Sequence, residues 1–148
     1  MPLIDVTIVR DSVPAEALTP MCDQLVTALL RAECAPDTTF LRENTLVYVH
    51  QLEPDAILVG GRSTGAPRFR VELTVYQGAL STERKEQLVA DVHAAVTAAA
   101  GIDPAGARAL HVWTFINEVP EGNWAAAGRI VYRSQVSGLT KAEGFDGA

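Results

Sequence analysis

The sequence predicts an α+β fold in which two consecutive β-α-β units build a four-stranded mixed sheet with both helices on one face. Three observations predict it. Apolar residues alternate with a period of two in four segments, they recur at helical spacing in two others, and the order strand, helix, strand occurs twice. An offset of roughly 65 residues lays Pro2-Leu3-Ile4 on Pro67-Arg68-Phe69 and brings Thr19-Pro20 close to Ser81-Thr82. The repeats then span about 2–58 and 67–132 of one 148-residue domain, and a polar, mobile tail follows over 133–148.

The first strand opens at the N-terminus, with Ile4, Val6 and Ile8 on one face and Asp5 and Thr7 on the other. Thr19 followed by Pro20 supplies a helix cap and a proline at the first helical position. Cys22, Leu25, Val26, Leu29 and Leu30 then form an apolar stripe, and the helix is expected to stop near Pro36. Residues 45–52 read as a second strand, apolar on both faces. Gly60, Gly61, Gly65 and Pro67 mark a loop. The third strand turns Phe69, Val71, Leu73 and Val75 inward, and Arg70, Glu72, Thr74 and Tyr76 the other way. Ser81 or Thr82 caps a second helix with the stripe Leu88, Val89, Val92, Val96 and Ala99, and Gly101 suits its C-terminal end. The last long strand covers about 110–119, followed by a turn at Pro120-Glu121-Gly122-Asn123 and a short apolar Ile130-Val131-Tyr132. Right-handed crossovers put both helices on one side, and the uncovered side, rich in Ile, Leu, Val and Tyr, is expected to pack against other subunits.

Composition narrows the function. A formal charge of −6 disfavours nucleic acid and anionic membrane as partners. No apolar run is long enough for a membrane helix, and Asp5, Arg10 and Asp11 interrupt a secretory signal, so the expected location is cytoplasmic. Cys22 and Cys34 stand twelve positions apart on the first predicted helix, about 18 Å, too far to pair, and read as buried or half-buried thiols. His50, His93 and His111 lack ligand spacing, so no metal and no cofactor are expected. The glycine-rich stretch 60–65 has no lysine and no helix behind it, and reads as a turn rather than a phosphate loop.

What remains is the terminus. Removal of Met1 exposes a secondary amine on Pro2, fixed at the start of a central strand. Burial and neighbouring cations would pull its pKa below the about 7.7–8.0 of an α-amine, giving a base able to take a proton from the carbon beside a carbonyl. Pro67, by contrast, carries a non-basic amide nitrogen.

Pro2 at the head of a strand, the doubled β-α-β unit, Leu18-Thr19-Pro20, and the segment His111-Val112-Trp113-Thr114-Phe115-Ile116-Asn117-Glu118-Val119-Pro120 running to Trp124 and Gly128-Arg129 carry a resemblance. Over residues 2 to about 132 the chain resembles fused members of the tautomerase superfamily, such as malonate semialdehyde decarboxylases and cis-chloroacrylate dehalogenases. The resemblance implies the tautomerase fold, also that of the MIF-like proteins, a homotrimer, a pocket around Pro2, and a small keto or unsaturated acid as substrate. The chain also departs from those relatives. Where they carry carboxylate-binding arginines after the third strand it has Tyr76-Gln77-Gly78-Ala79-Leu80, where the dehalogenases have a water-activating glutamate it has Ala126, and where they have a tyrosine it has Phe115.

The expected activity is therefore keto–enol tautomerisation with Pro2 as general base. The alternative on the same scaffold is a hydratase or decarboxylase with Pro2 as general acid, and a third reading is a non-catalytic oligomeric small-molecule-binding protein. Arg129 matches the family's Gly-Arg and is read either as a carboxylate anchor or as an intersubunit ion-pair partner. Phe115 and Trp124 are expected to wall the pocket, and Asn117 or Gln77 to hydrogen-bond the carbonyl oxygen as charge develops on it. Trp113 is expected in the core, and His50 to be a satisfied core or interface histidine.

Overall fold

The computed structural model describes residues 2–141. Strand β1 (Leu3–Val9) leads into helix α1 (Ala15–Ala32), a short helix α2 (Thr39–Glu43) and β2 (Leu46–Leu52). A small hairpin, β3 (Leu58–Val59) and β4 (Arg62–Ser63), precedes β5 (Phe69–Tyr76), helix α3 (Thr82–Ala100) and β6 (Val112–Val119). A second hairpin, β7 (Ala125–Ala126) and β8 (Arg129–Ile130), is followed by helix α4 (Arg133–Lys141).

The sheet has the order β2-β1-β5-β6. β1 is parallel to β2, β5 is parallel to β6, and the central pair β1 and β5 is antiparallel. Under the 65-residue offset Val6 falls on Val71, and these two are direct partners across the central ladder, with Ile4↔Leu73 and Ile8↔Phe69 disposed evenly on either side. The sheet thus has an internal twofold between its middle strands.

One face of the sheet is closed by α1 and α3, which also pack on each other. Ile4, Val6 and Ile8 of β1 and Phe69, Val71, Leu73 and Val75 of β5 meet Met21, Leu25, Leu29 and Leu30 of α1 and Leu88, Val92 and Val96 of α3 in a single core. All of them are buried, as alternation in the strands and the helical stripes require. Ser81 caps α3, its hydroxyl accepting from the Arg84 N–H at 3.3 Å, and Gly101 ends the helix in the left-handed region at φ 65°.

The other face is open and can be read in rows across the strands. His50, Thr7, Arg70 and Trp113 form one row, Tyr48, Asp5, Glu72 and Phe115 the next, and Leu46, Leu3, Thr74 and Asn117 the third. The middle strands hold the charges. His50 Nε2 lies 2.7 Å from Asp5 Oδ1, and Arg70 Nε pairs with Glu72 at 3.1 Å. The outer strands hold the large apolar groups, with Leu46, Tyr48 and Trp113 each more than half exposed.

Several expectations are corrected. Helix α1 begins at Ala15 behind Pro14, not at Thr19-Pro20, because Ala15-Glu16-Ala17-Leu18 extends the helix backwards from the proline. Pro20 lies inside the helix on its exposed side, where water can reach the carbonyl that its missing N–H leaves unpaired. Cys34 lies beyond the end of α1, exposed and at φ 53°, rather than on the helix. Gly60 and Gly61, both at positive φ, close the β3–β4 hairpin instead of an open loop. Val89 is 38% exposed, Trp113 stands on the open face with its indole N–H donating to the Leu110 carbonyl, and Tyr76 is buried with the core rather than facing out. The tail is helical through α4, which packs Val136 on the core, and residues 142–148 of the expected tail lie outside the described residues. No helix among the described residues is long and apolar enough to cross a membrane.

Candidate active site at the head of the central strand

Pro2 is buried, one residue ahead of β1. Topology decides what can surround it. Because β1 is antiparallel to β5, and β5 parallel to β6, the head of β1 lies where β5 and β6 end, at Tyr76 and Val119. The crossover from β1 to the parallel β2 must carry the chain back to that same end, so the C-terminal end of α1 arrives there too. Everything after β6, through the β7–β8 hairpin to the start of α4, begins from this end of the sheet.

Hydrogen bonds fasten these arrivals. The Gln77 N–H donates to the Val119 carbonyl at 2.9 Å, and the Tyr76 hydroxyl donates to the Val131 carbonyl at 2.8 Å. The Tyr76 ring lies 5.0 Å from the Trp124 ring. Glu118 accepts from the Gly78 N–H at 3.1 Å and pairs with Lys85 at 3.1 Å, so Lys85 and that backbone N–H hold its carboxyl below the usual carboxylate range. The Arg133 guanidinium donates to the Gly78 carbonyl at 3.1 Å, and its backbone N–H donates to Glu121 at 2.9 Å.

Glu33 stands at the end of α1, the end that the crossover brings to the head of β1. Burial pushes its carboxyl above the usual range, against the pull of Arg133. Tyr76 is pushed up as well, by burial and then by the charges of Glu121 and Glu33. The Glu33 carboxyl therefore stands within electrostatic reach of the Tyr76 phenol and the Arg133 guanidinium, at the end of the sheet where Pro2 is buried. Such a set can hold and move a proton and can bind an anion.

Of the residues anticipated from sequence, Pro2, Gln77 and Trp124 belong to this end. Gln77 is exposed and Trp124 half-buried against Tyr76. Asn117 lies opposite Thr74, itself opposite Leu3, two strand spacings or about 9–10 Å from β1 on the open face. Phe115 is one row further along, 44% exposed, with its ring 6.4 Å from that of Trp113. Arg129 is exposed on β8, paired with Ala126. Within the chain Phe115 stands on the row of Asp5, three residues along β1 from Pro2. Glu33, Tyr76 and Arg133 escaped the sequence reading. The crossover rule alone could have placed Glu33, since a helix between parallel strands must end beside the head of the first.

A groove of about 640 Å³ lies at the opposite end of the sheet, lined by Thr7, Leu52, Leu58, Phe69, Arg70 and Trp113 among others. Thr7 is five residues along β1 from Pro2, about 16 Å, and Pro2 does not line that groove.

This fold and site define a class: doubled β-α-β proteins with a proline at the head of the first central strand. Residues 69–132 match the family model described as tautomerase enzyme. No curated protein matches the sequence. Among solved structures, the chain is similar to the Q0 fused 4-OT, a symmetric trimer, at 22% identity and a TM-score of 0.71, over 90% of this chain and 98% of that one. It is similar to Pt0534, inactivated by 2-oxo-3-pentynoate, at 19% identity and a TM-score of 0.73, over 90% and 98%. It is also similar to N1, a member of the cis-3-chloroacrylic acid dehalogenase family, at 18% identity and a TM-score of 0.71, over 93% and 90%.

Proposed function

We propose that the chain is a cofactor-independent keto–enol tautomerase acting on a small keto acid or dienol, with the Pro2 nitrogen, freed by loss of Met1, as general base. The burial of Pro2 at the head of β1 carries this reading. A desolvated amine disfavours its ammonium form, which keeps a lone pair ready near neutral pH. The amine takes a proton from the carbon beside the carbonyl, a donor steadies the enolate oxygen, and the prolinium returns the proton at another carbon. Gln77, Asn117 and Arg129 remain the proposed donors, and Trp124 and Phe115 the proposed walls.

One observation favours a second reading. Glu33 is a half-buried carboxyl at the end of α1, which the β1–β2 crossover brings to the head of β1, and an anion there supports the protonated amine. With Pro2 held as prolinium the same site would act as a general acid, as a hydratase or decarboxylase needs.

The assembly we propose is a homotrimer. Its contacts would use the outer strands, where Leu46, Tyr48, Trp113 and Phe115 stand exposed, and the similar fused 4-OT is a trimer. Phe115 and Asn117, both on β6, would then lie at the boundary between copies.

The test begins with the mass of the purified protein, which must lack Met1. Turnover of phenylpyruvate enol and a panel of dienols is then compared with that of Pro2→Ala, expected to lose about 10²-fold or more. Equal turnover by the two proteins sinks both catalytic readings.

A further inference from the structure

A small acid handled by Pro2 needs a cation to hold its carboxylate, and the segment that follows β5, 77–80, contains none. Lys85 and Arg133 come to the segment 77–80 or its neighbour Glu118 from other elements. Lys85 is paired with Glu118. Arg133 comes from the first turn of α4 and sets its guanidinium on the carbonyl of Gly78, inside that segment, at 3.1 Å.

We propose that Arg133 is the residue that binds the substrate carboxylate, an inference that rests on the reading of Pro2 as the reacting amine. A guanidinium has five N–H donors in a planar fork, and the bond to Gly78 fixes its orientation while using one of them. The backbone of Arg133 is itself pinned, through its N–H, to Glu121, and α4 is anchored by Val136 on the core. The cation is therefore positioned before substrate arrives. Glu33, at the end of α1, is a carboxyl within electrostatic reach of Arg133, so this guanidinium already stands where a negative charge is felt. The Tyr76 and Trp124 rings, tilted at 35° with centroids 5.0 Å apart beside Val131, give this end of the sheet an apolar wall. A desolvated wall strengthens a charge-assisted, two-pronged hydrogen bond. Helix α4 thus supplies from a distant stretch of sequence what the loop after β5 lacks.

The experiment uses two alkynones of similar shape, 2-oxo-3-pentynoate and the neutral 3-pentyn-2-one, in which a methyl group replaces the carboxylate. In either case the Pro2 nitrogen bonds to C4, one π bond between C3 and C4 breaks, and C3 takes up the proton that the nitrogen loses. Rates of mass gain on Pro2 are measured for the wild type, Arg133→Ala and Arg133→Lys. Arg133→Ala is expected to slow labelling by the keto acid about 10-fold or more while leaving the neutral ketone within about twofold, with Arg133→Lys between. The ketone reports folding and amine reactivity, so it separates carboxylate binding from a structural role. Equal slowing with both reagents, or no slowing with either, overturns the assignment to Arg133 and leaves Pro2 standing. No labelling of wild-type Pro2 by either reagent overturns the Pro2 reading and this inference with it.

Discussion

At the scale of single residues, Glu33 is where burial and charge oppose each other most clearly. Its carboxyl is raised by burial, so the folded protein holds a proton there that the unfolded chain has already released. Between the ordinary carboxylate range and the raised value the native state binds more protons, and stability falls as pH rises through that window. Glu33→Gln removes the effect. Its melting temperature is expected to exceed that of the wild type at neutral pH, and the difference to vanish below the ordinary carboxylate range. The same substitution removes an anion from the end of the sheet where Pro2 is buried, so an NMR titration of the Pro2 nitrogen is expected to move to lower pH. A melting difference that persists at low pH would show that Glu33 acts through packing rather than charge.

At the scale of elements, α3 offers a clean test of local chemistry. Ser81→Ala deletes the acceptor for the Arg84 N–H and is expected to cost about 1 kcal/mol in urea unfolding, with no change in the labelling of Pro2. Leu25→Ala, in the core beneath β1, is expected to cost about 2–5 kcal/mol. The strands were legible in the sequence because a period of two survives single exceptions, and β1 and β5 bury the residues that their alternation selects. Helix starts were less so. Thr19-Pro20 is a good start signal, yet Pro14 followed by four helix-compatible residues is another, and nothing local ranks them. Tyr76 was misplaced because alternation says nothing of where a strand stops, and the last residue of β5 turns under Trp124. Helix α4 went unseen because only Val136 and Leu139 break a polar stretch. Pro2 could be read from its position, but Glu33 and Arg133 could not be read as its neighbours. They stand some 30 and 130 residues away, and crossovers and hydrogen bonds bring them back.

At the scale of the whole molecule, the open face makes the assembly testable. Its polar groups are partnered, Asp5 with His50 and Arg70 with Glu72, whereas its outer strands present Tyr48, Trp113 and Phe115 to solvent. Sedimentation equilibrium is expected to return three times the 15.8 kDa chain mass. Tyr48→Glu with Phe115→Glu is expected to shift the protein toward monomer while the circular dichroism of the folded chain is retained. A monomeric wild type would mean that the outer strands serve some other partner.

The twofold through Val6 and Val71 gives the molecule two equivalent poles, and one covalent bond makes them unequal. At the far pole Pro67 borders a cavity of about 260 Å³ with His111 and Arg108, yet its nitrogen is acylated by Ala66 and has no basic lone pair. Hydrolysing that peptide link, through a protease site engineered just before Pro67, would leave two fragments still laced together by the central ladder. Each pole would then end in a secondary amine. Uptake of a second equivalent of 3-pentyn-2-one, on Pro67, is the expected reading, and it would mean that continuity of the chain, rather than loss of the architecture, keeps half of the molecule silent.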